Sequence, residues 1–84
     1  MNPQNDARLR RLEWRCRRGT RELDLLLERY LHTRYRAAGT ASQLAFERLL
    51  ELQDPVLQAY FLGTAEPQDP GTRDLVRSIT GTHP

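Results

Sequence analysis

Lysine is missing from this 84-residue chain, so all thirteen basic side chains are arginines. That removes the Schiff-base and general-base roles a lysine takes when its pKa is depressed. Cysteine occurs once, at Cys16, which excludes an internal disulfide and a thiolate metal cage. The two histidines, His32 and His83, are far apart and share no ligand spacing with Cys16, so no metal site is expected. No run approaches the roughly 18 apolar residues of a membrane span, and Met1 to Asp6 has no apolar core of a secretory signal. These features, with the lone cysteine, lead to the expectation of a cytoplasmic protein without membrane insertion. There is no glycine-rich phosphate loop. A chain of this length buries only about two-thirds of its unfolded surface, which leaves no room for an enclosed active site. No catalytic residue is expected.

The charge is unevenly distributed. The formal net charge is +2, but residues 1–36 carry ten arginines against five acids, and residues 37–84 carry three against six. A basic first half facing an acidic second half weakens any long-range field.

Hydrophobic spacing points to helices throughout. Leu9, Leu12 and Cys16 recur three and four apart on a first helix capped by Asn2 or Asp6 and running to about Arg17. Cys16 on that stripe is expected to be a buried, inert thiol. Trp14 lies about 200° around this helix from Leu12, off the apolar stripe, and is expected to be exposed or to pack elsewhere. Gly19 fits the left-handed residue that ends such a helix, with Arg15, Arg17 and Arg18 opposing the negative end of its dipole.

Leu23, Leu26, Leu27, Tyr30, Leu31 and Tyr35 define a second, core helix over about 20–35, with Glu22 and Asp24 in its first turn and Arg34 and Arg36 closing it. Thr40 with Gln43 resembles a capping box for a third helix to about Leu52, buried through Leu44, Phe46, Leu49, Leu50 and Leu52. Asp54-Pro55 reads as an N-cap and first helical residue of a fourth helix carrying Val56, Leu57, Tyr60 and Phe61 and stopped by Gly63. Asp69-Pro70 repeats that start for a fifth, with Leu75, Val76 and Ile79 as its apolar face and Gly81 as its stop. The whole chain, 1–84, reads as a single compact all-α bundle of four or five short helices, frayed at about 1–5 and 82–84.

Chemistry is concentrated in Arg17-Arg18-Gly19-Thr20-Arg21-Glu22-Leu23-Asp24. A helix-glycine-helix corner accounts for this charge order without any partner. An exposed Trp14 beside arginines is, in contrast, the composition of an interface hot spot. Arg8, Arg10, Arg11, Arg15, Arg17 and Arg18 also permit an arginine-led nucleic-acid or regulatory binder, a reading weakened by Glu13, Glu22 and the acidic second half.

Arg18-Gly19-Thr20-Arg21-Glu22 resembles the Arg-Gly-x-x-Glu signature of the SdhE/YgfY family of succinate dehydrogenase assembly factors. The resemblance continues through Trp14-Arg15-Cys16-Arg17, Glu22-Leu23-Asp24, Phe46-Glu47-Arg48-Leu49-Leu50 and Asp54-Pro55-Val56-Leu57, and so spans nearly the whole chain. Two positions depart from the family pattern: Thr20, often methionine, and Tyr60, usually tryptophan.

The resemblance implies a five-helix, YgfY-like protein that is a chaperone and not an enzyme. Its partner would be the flavoprotein subunit of succinate dehydrogenase, and of fumarate reductase, whose covalent flavinylation it promotes by pre-organisation. It would hold no cofactor tightly, act as a monomer on FAD carried by the partner, and bind no nucleic acid. Carried onto this chain, the partner-binding residues are Arg18, Gly19 and Glu22, extended by Arg17, Arg15, Trp14 and Asp24.

Overall fold

The computed structural model describes residues 3–81 and places five α-helices in them, with no strand among the described residues. Helix α1 spans Pro3–Cys16 and α2 spans Arg21–Tyr30, continuing into a π-helical turn at Leu31–Tyr35. Helices α3 (Thr40–Leu49), α4 (Asp54–Leu62) and α5 (Pro70–Thr80) follow. Asn2 and His83 lie outside the described residues, and Asp6 sits inside α1 instead of capping it.

Helix α2 is central and packs on α1, α4 and α5, while α3 packs on α5. Its stripe is buried as the spacing requires: Leu23, Leu27, Tyr30, Leu31 and Tyr35 are core, and Leu26 packs at its edge. The π-helical turn explains how the stripe reaches Tyr35. At 100° per residue, a straight α-helix would carry Tyr35 about 120° away from Leu23. The wider turn rotates it back toward the core, and the Thr33 hydroxyl, donating to the Arg29 carbonyl at 2.6 Å, helps to open the helix there. Tyr30 and Tyr35 then flank Phe46 of α3 with ring centroids 4.9 and 5.6 Å away, within the range of favourable aromatic pairs.

Several helix ends differ from the spacing-based expectation. Gly39, not Thr40, occupies the N-cap of α3, and the Gln43 amide donates to the Tyr35 carbonyl at 2.8 Å, satisfying the end of the π-helical turn. Leu44 and Val56 are exposed, and Leu52 is only partly buried because α3 ends at Leu49. Asp54 is the first residue of α4, and its carboxylate faces Arg18 instead of capping its own helix. Asp69 does cap α5, accepting from the Thr72 N–H at 2.9 Å and from its hydroxyl at 3.0 Å. These two bonds hold its carboxyl below the usual carboxylate range. Tyr35 and Arg8 both donate to Glu47, tying α1, the π-helical turn and α3 together.

Candidate functional site

The corner between α1 and α2 is built around Arg18. Its Nε donates to Asp54 Oδ1 at 2.9 Å, and its terminal nitrogens donate to the carbonyls of Leu50 (2.8 Å), Arg15 (3.1 Å) and Leu52. One planar fork thus caps the end of α1, the end of α3 and the start of α4, a task for which a point-charge ammonium has neither the donors nor the geometry. The backbone on the same residue is also held, since the Arg18 N–H donates to Asp24 Oδ1 at 2.6 Å. Arg18 and Asp24 therefore act inside the chain, and the Arg18 side chain is only 16% exposed.

The residues between them are displayed. The Arg17 N–H bonds the Trp14 carbonyl at 3.1 Å, the chain leaves α1, and Gly19 turns it at φ 84°. That is a left-handed conformation an L side chain adopts only with strain. A Cβ on Gly19 would meet nothing within 4 Å. Nothing inside the molecule thus fills the space above it. Thr20 occupies the N-cap of α2 without a side-chain bond, and Asp24 N–H bonds its carbonyl at 2.9 Å.

Around the glycine the sequence-expected residues separate into two groups. Trp14 is 73% exposed, with the Arg17 guanidinium over its ring at 5.7 Å from the centroid, a cation–π distance. Arg17 also approaches Glu28 at 4.0 Å, and Arg15 approaches Glu51 at 4.0 Å. Arg15, Arg17, Gly19 and Glu22 are all exposed. Trp14, Arg15, Arg17, Gly19 and Glu22 make the surface, and Arg18 with Asp24 makes its support. Spacing missed Asp54 as part of the corner, because Asp-Pro at a helix start already had a sufficient local meaning. It also passed over Arg21 and Leu25, both exposed and one turn apart on α2. The available signal was Leu25, an apolar residue off the core stripe.

Cys16 directly below this corner is fully buried, and burial pushes its thiol up to about 12, with Glu28 adding to the shift. It stays a neutral thiol at physiological pH and is not a nucleophile. Among the described residues no group of three or more His, Cys, Asp or Glu is placed to hold a metal. No described helix is long and apolar enough to cross a membrane. The arrangement is suited to contact: a bare backbone turn, an aromatic platform and an arginine beside it, all rigidly held from below.

Comparison with known proteins places the chain in a family. A model of the family described as "Flavinator of succinate dehydrogenase" matches residues 10–83. The chain is 45% identical over 69 residues to an "FAD assembly factor SdhE" of Methylococcus capsulatus, covering 82% of this chain and 83% of that one. It is 34% identical over 70 residues to the protein of that name from Coxiella burnetii, covering 83% and 85% of the two chains. It is 36% identical over 75 residues to that of Pseudomonas aeruginosa, covering 89% of each. With a family match over most of its length and relatives above 30% identity along both chains, this chain belongs to the SdhE family of FAD assembly factors, the flavinators of succinate dehydrogenase.

Proposed function

We propose that the chain promotes covalent attachment of FAD to the flavoprotein subunit of succinate dehydrogenase, and of fumarate reductase, by docking its α1–α2 corner on that subunit. The observation that carries this reading is Gly19: exposed, left-handed and with open space where a side chain would stand. The backbone of a partner can approach such a point closely, Trp14 and Arg17 supply hot-spot residue types, and the exposed Glu22 supplies an acceptor for a cationic or amide group. Arg18 and Asp24 contribute by fixing the turn, so the surface is ordered before contact and less entropy is lost on binding.

The bond itself forms within the flavoprotein, between one of its histidines and the 8α-methyl carbon of FAD. This chain offers no exposed nucleophile near the corner, and its part is to favour the partner conformation in which histidine and flavin are aligned. It acts as a cytoplasmic monomer, holds no FAD of its own and leaves once the bond is made. In cells lacking this chain, in-gel flavin fluorescence of the denatured flavoprotein subunit is expected to fall sharply and to return with the chain supplied in trans. Unchanged fluorescence would falsify the assignment.

A further inference from the structure

A second feature lies on the same α1–α2 hairpin, about two turns along α1 from the corner, or roughly 10 Å at 1.5 Å per residue. There an open cleft of about 540 Å³ is lined by Leu9, Arg10 and Glu13 of α1 and by Leu31, His32 and Arg36 of the π-helical turn and the residue after it. Leu31 is buried and Leu9 half-buried, so the floor is apolar, whereas Arg10, His32 and Arg36 are exposed. His32 Nε2 stands 3.4 Å from Glu13 Oε1 across the cleft. The Arg36 guanidinium has no hydrogen bond or ion pair among the described residues. His32 lies in the π-helical turn and Arg36 directly follows it, and such bulges occur frequently at functional sites.

We propose that this cleft receives an acidic side chain of the flavoprotein docked on the Gly19 corner, an inference that rests on the docking reading above. Arg36 brings one guanidinium that no described group pairs, beside His32 and Glu13, which face each other. A monoanionic carboxylate matches that one unpaired charge, and its two oxygens fit the planar donor fork of Arg36. A phosphate dianion would bring more charge than the cleft balances, directly against Glu13. The apolar floor of Leu9 and Leu31 suits the methylene stem of such a side chain. Continuity with the corner comes from a row of groups along the seam: His32 meets Glu13, Glu28 meets Arg17, and Arg17 covers Trp14. A partner lying along the hairpin would cover both ends.

The test measures the affinity of the full chain for the purified flavoprotein subunit by calorimetry, with thermal unfolding as a fold control. Arg36→Glu is expected to weaken the complex at least about tenfold, the effect of placing like charge against a carboxylate, with Tm unchanged. Arg36→Lys should fall between it and the natural chain. Arg48→Glu, an exposed charge reversal on α3 outside this seam, should leave affinity within about twofold. Wild-type affinity in Arg36→Glu, with binding lost in Gly19→Trp, would overturn the cleft while leaving the docking reading intact. Equal weakening by Arg36→Glu and Arg48→Glu would reduce the effect to general charge and overturn it too. Absence of binding by the natural chain would remove both readings.

Discussion

Arg18 and Asp54, thirty-six residues apart in sequence, meet at 2.9 Å and join the α1–α2 corner to the first turn of α4. Because the same guanidinium also serves the carbonyls of Leu50 and Leu52, the corner is anchored to the α3–α4 connection and not only to its own neighbours.

Arg18→Lys is expected to lower stability by about 2 kcal/mol, since charge-assisted bonds to partly buried acceptors are lost and a lysine cannot replace the fork. Asp54→Asn should cost less, about 1 kcal/mol, because the carbonyl contacts persist. Urea titrations of the two single variants and the double variant check this, and the pair should be non-additive because both changes break one network.

Gly19 separates local strain from contact with a partner. Gly19→Asn tolerates the left-handed turn and is expected to lower stability by no more than about 1 kcal/mol. Gly19→Trp should cost a little more in stability, because no internal atom stands in its way. Covalent flavin yield should fall steeply from Asn to Trp. A yield that tracks Tm instead of side-chain size would assign the glycine to folding alone.

Trp14→Ala should leave thermal unfolding almost unchanged, as the ring is largely exposed. If the proposed docking holds, truncating this aromatic residue is expected to cost about 2 kcal/mol or more in binding. Equilibrium binding to the flavoprotein subunit, compared with unfolding of the free chain, gives both numbers.

The Cys16 thiol provides a pH-dependent test. Its value is raised in the folded state to about 12. The unfolded chain therefore releases its proton first, and stability is expected to decline as pH rises above about 8.5, by up to about 1.4 kcal/mol per pH unit. Tyr30 and Tyr35, also raised by burial, add a decline of the same sign at higher pH. Cys16→Ala should flatten the slope between pH 8.5 and 10 while leaving the tyrosine part. At neutral pH, maleimide labelling of the natural chain should proceed only as fast as the chain opens.

Much of this fold was legible because its helices obey local rules. The period of α2 identified its buried face from Leu23 to Tyr35, Asp69-Pro70 marked the start of α5, and Gly19 marked the turn. What escaped were choices settled between distant segments. Gln43 serves the Tyr35 carbonyl instead of boxing Thr40, and Asp54 turns to Arg18, because in each case a tertiary partner offered a better bond than the local one. Within the candidate corner the structure divides the expected residues into an exposed set and a supporting pair, Arg18 and Asp24. Sequence spacing cannot tell an arginine that faces solvent, Arg17, from its neighbour Arg18, whose fork closes three helix ends.

The wiring of Arg18 also sets an order of events during synthesis. Its acceptors at Leu50, Leu52 and Asp54 lie 32 to 36 residues downstream, so a nascent chain carrying only α1 and α2 holds the turn at Gly19 through Asp24 and the Arg15 carbonyl alone. Contacts of such long range form late, after the chain entropy of closing the intervening loop has been overcome. The turn at Gly19 therefore gains its full anchoring only once α3 and the start of α4 are in place.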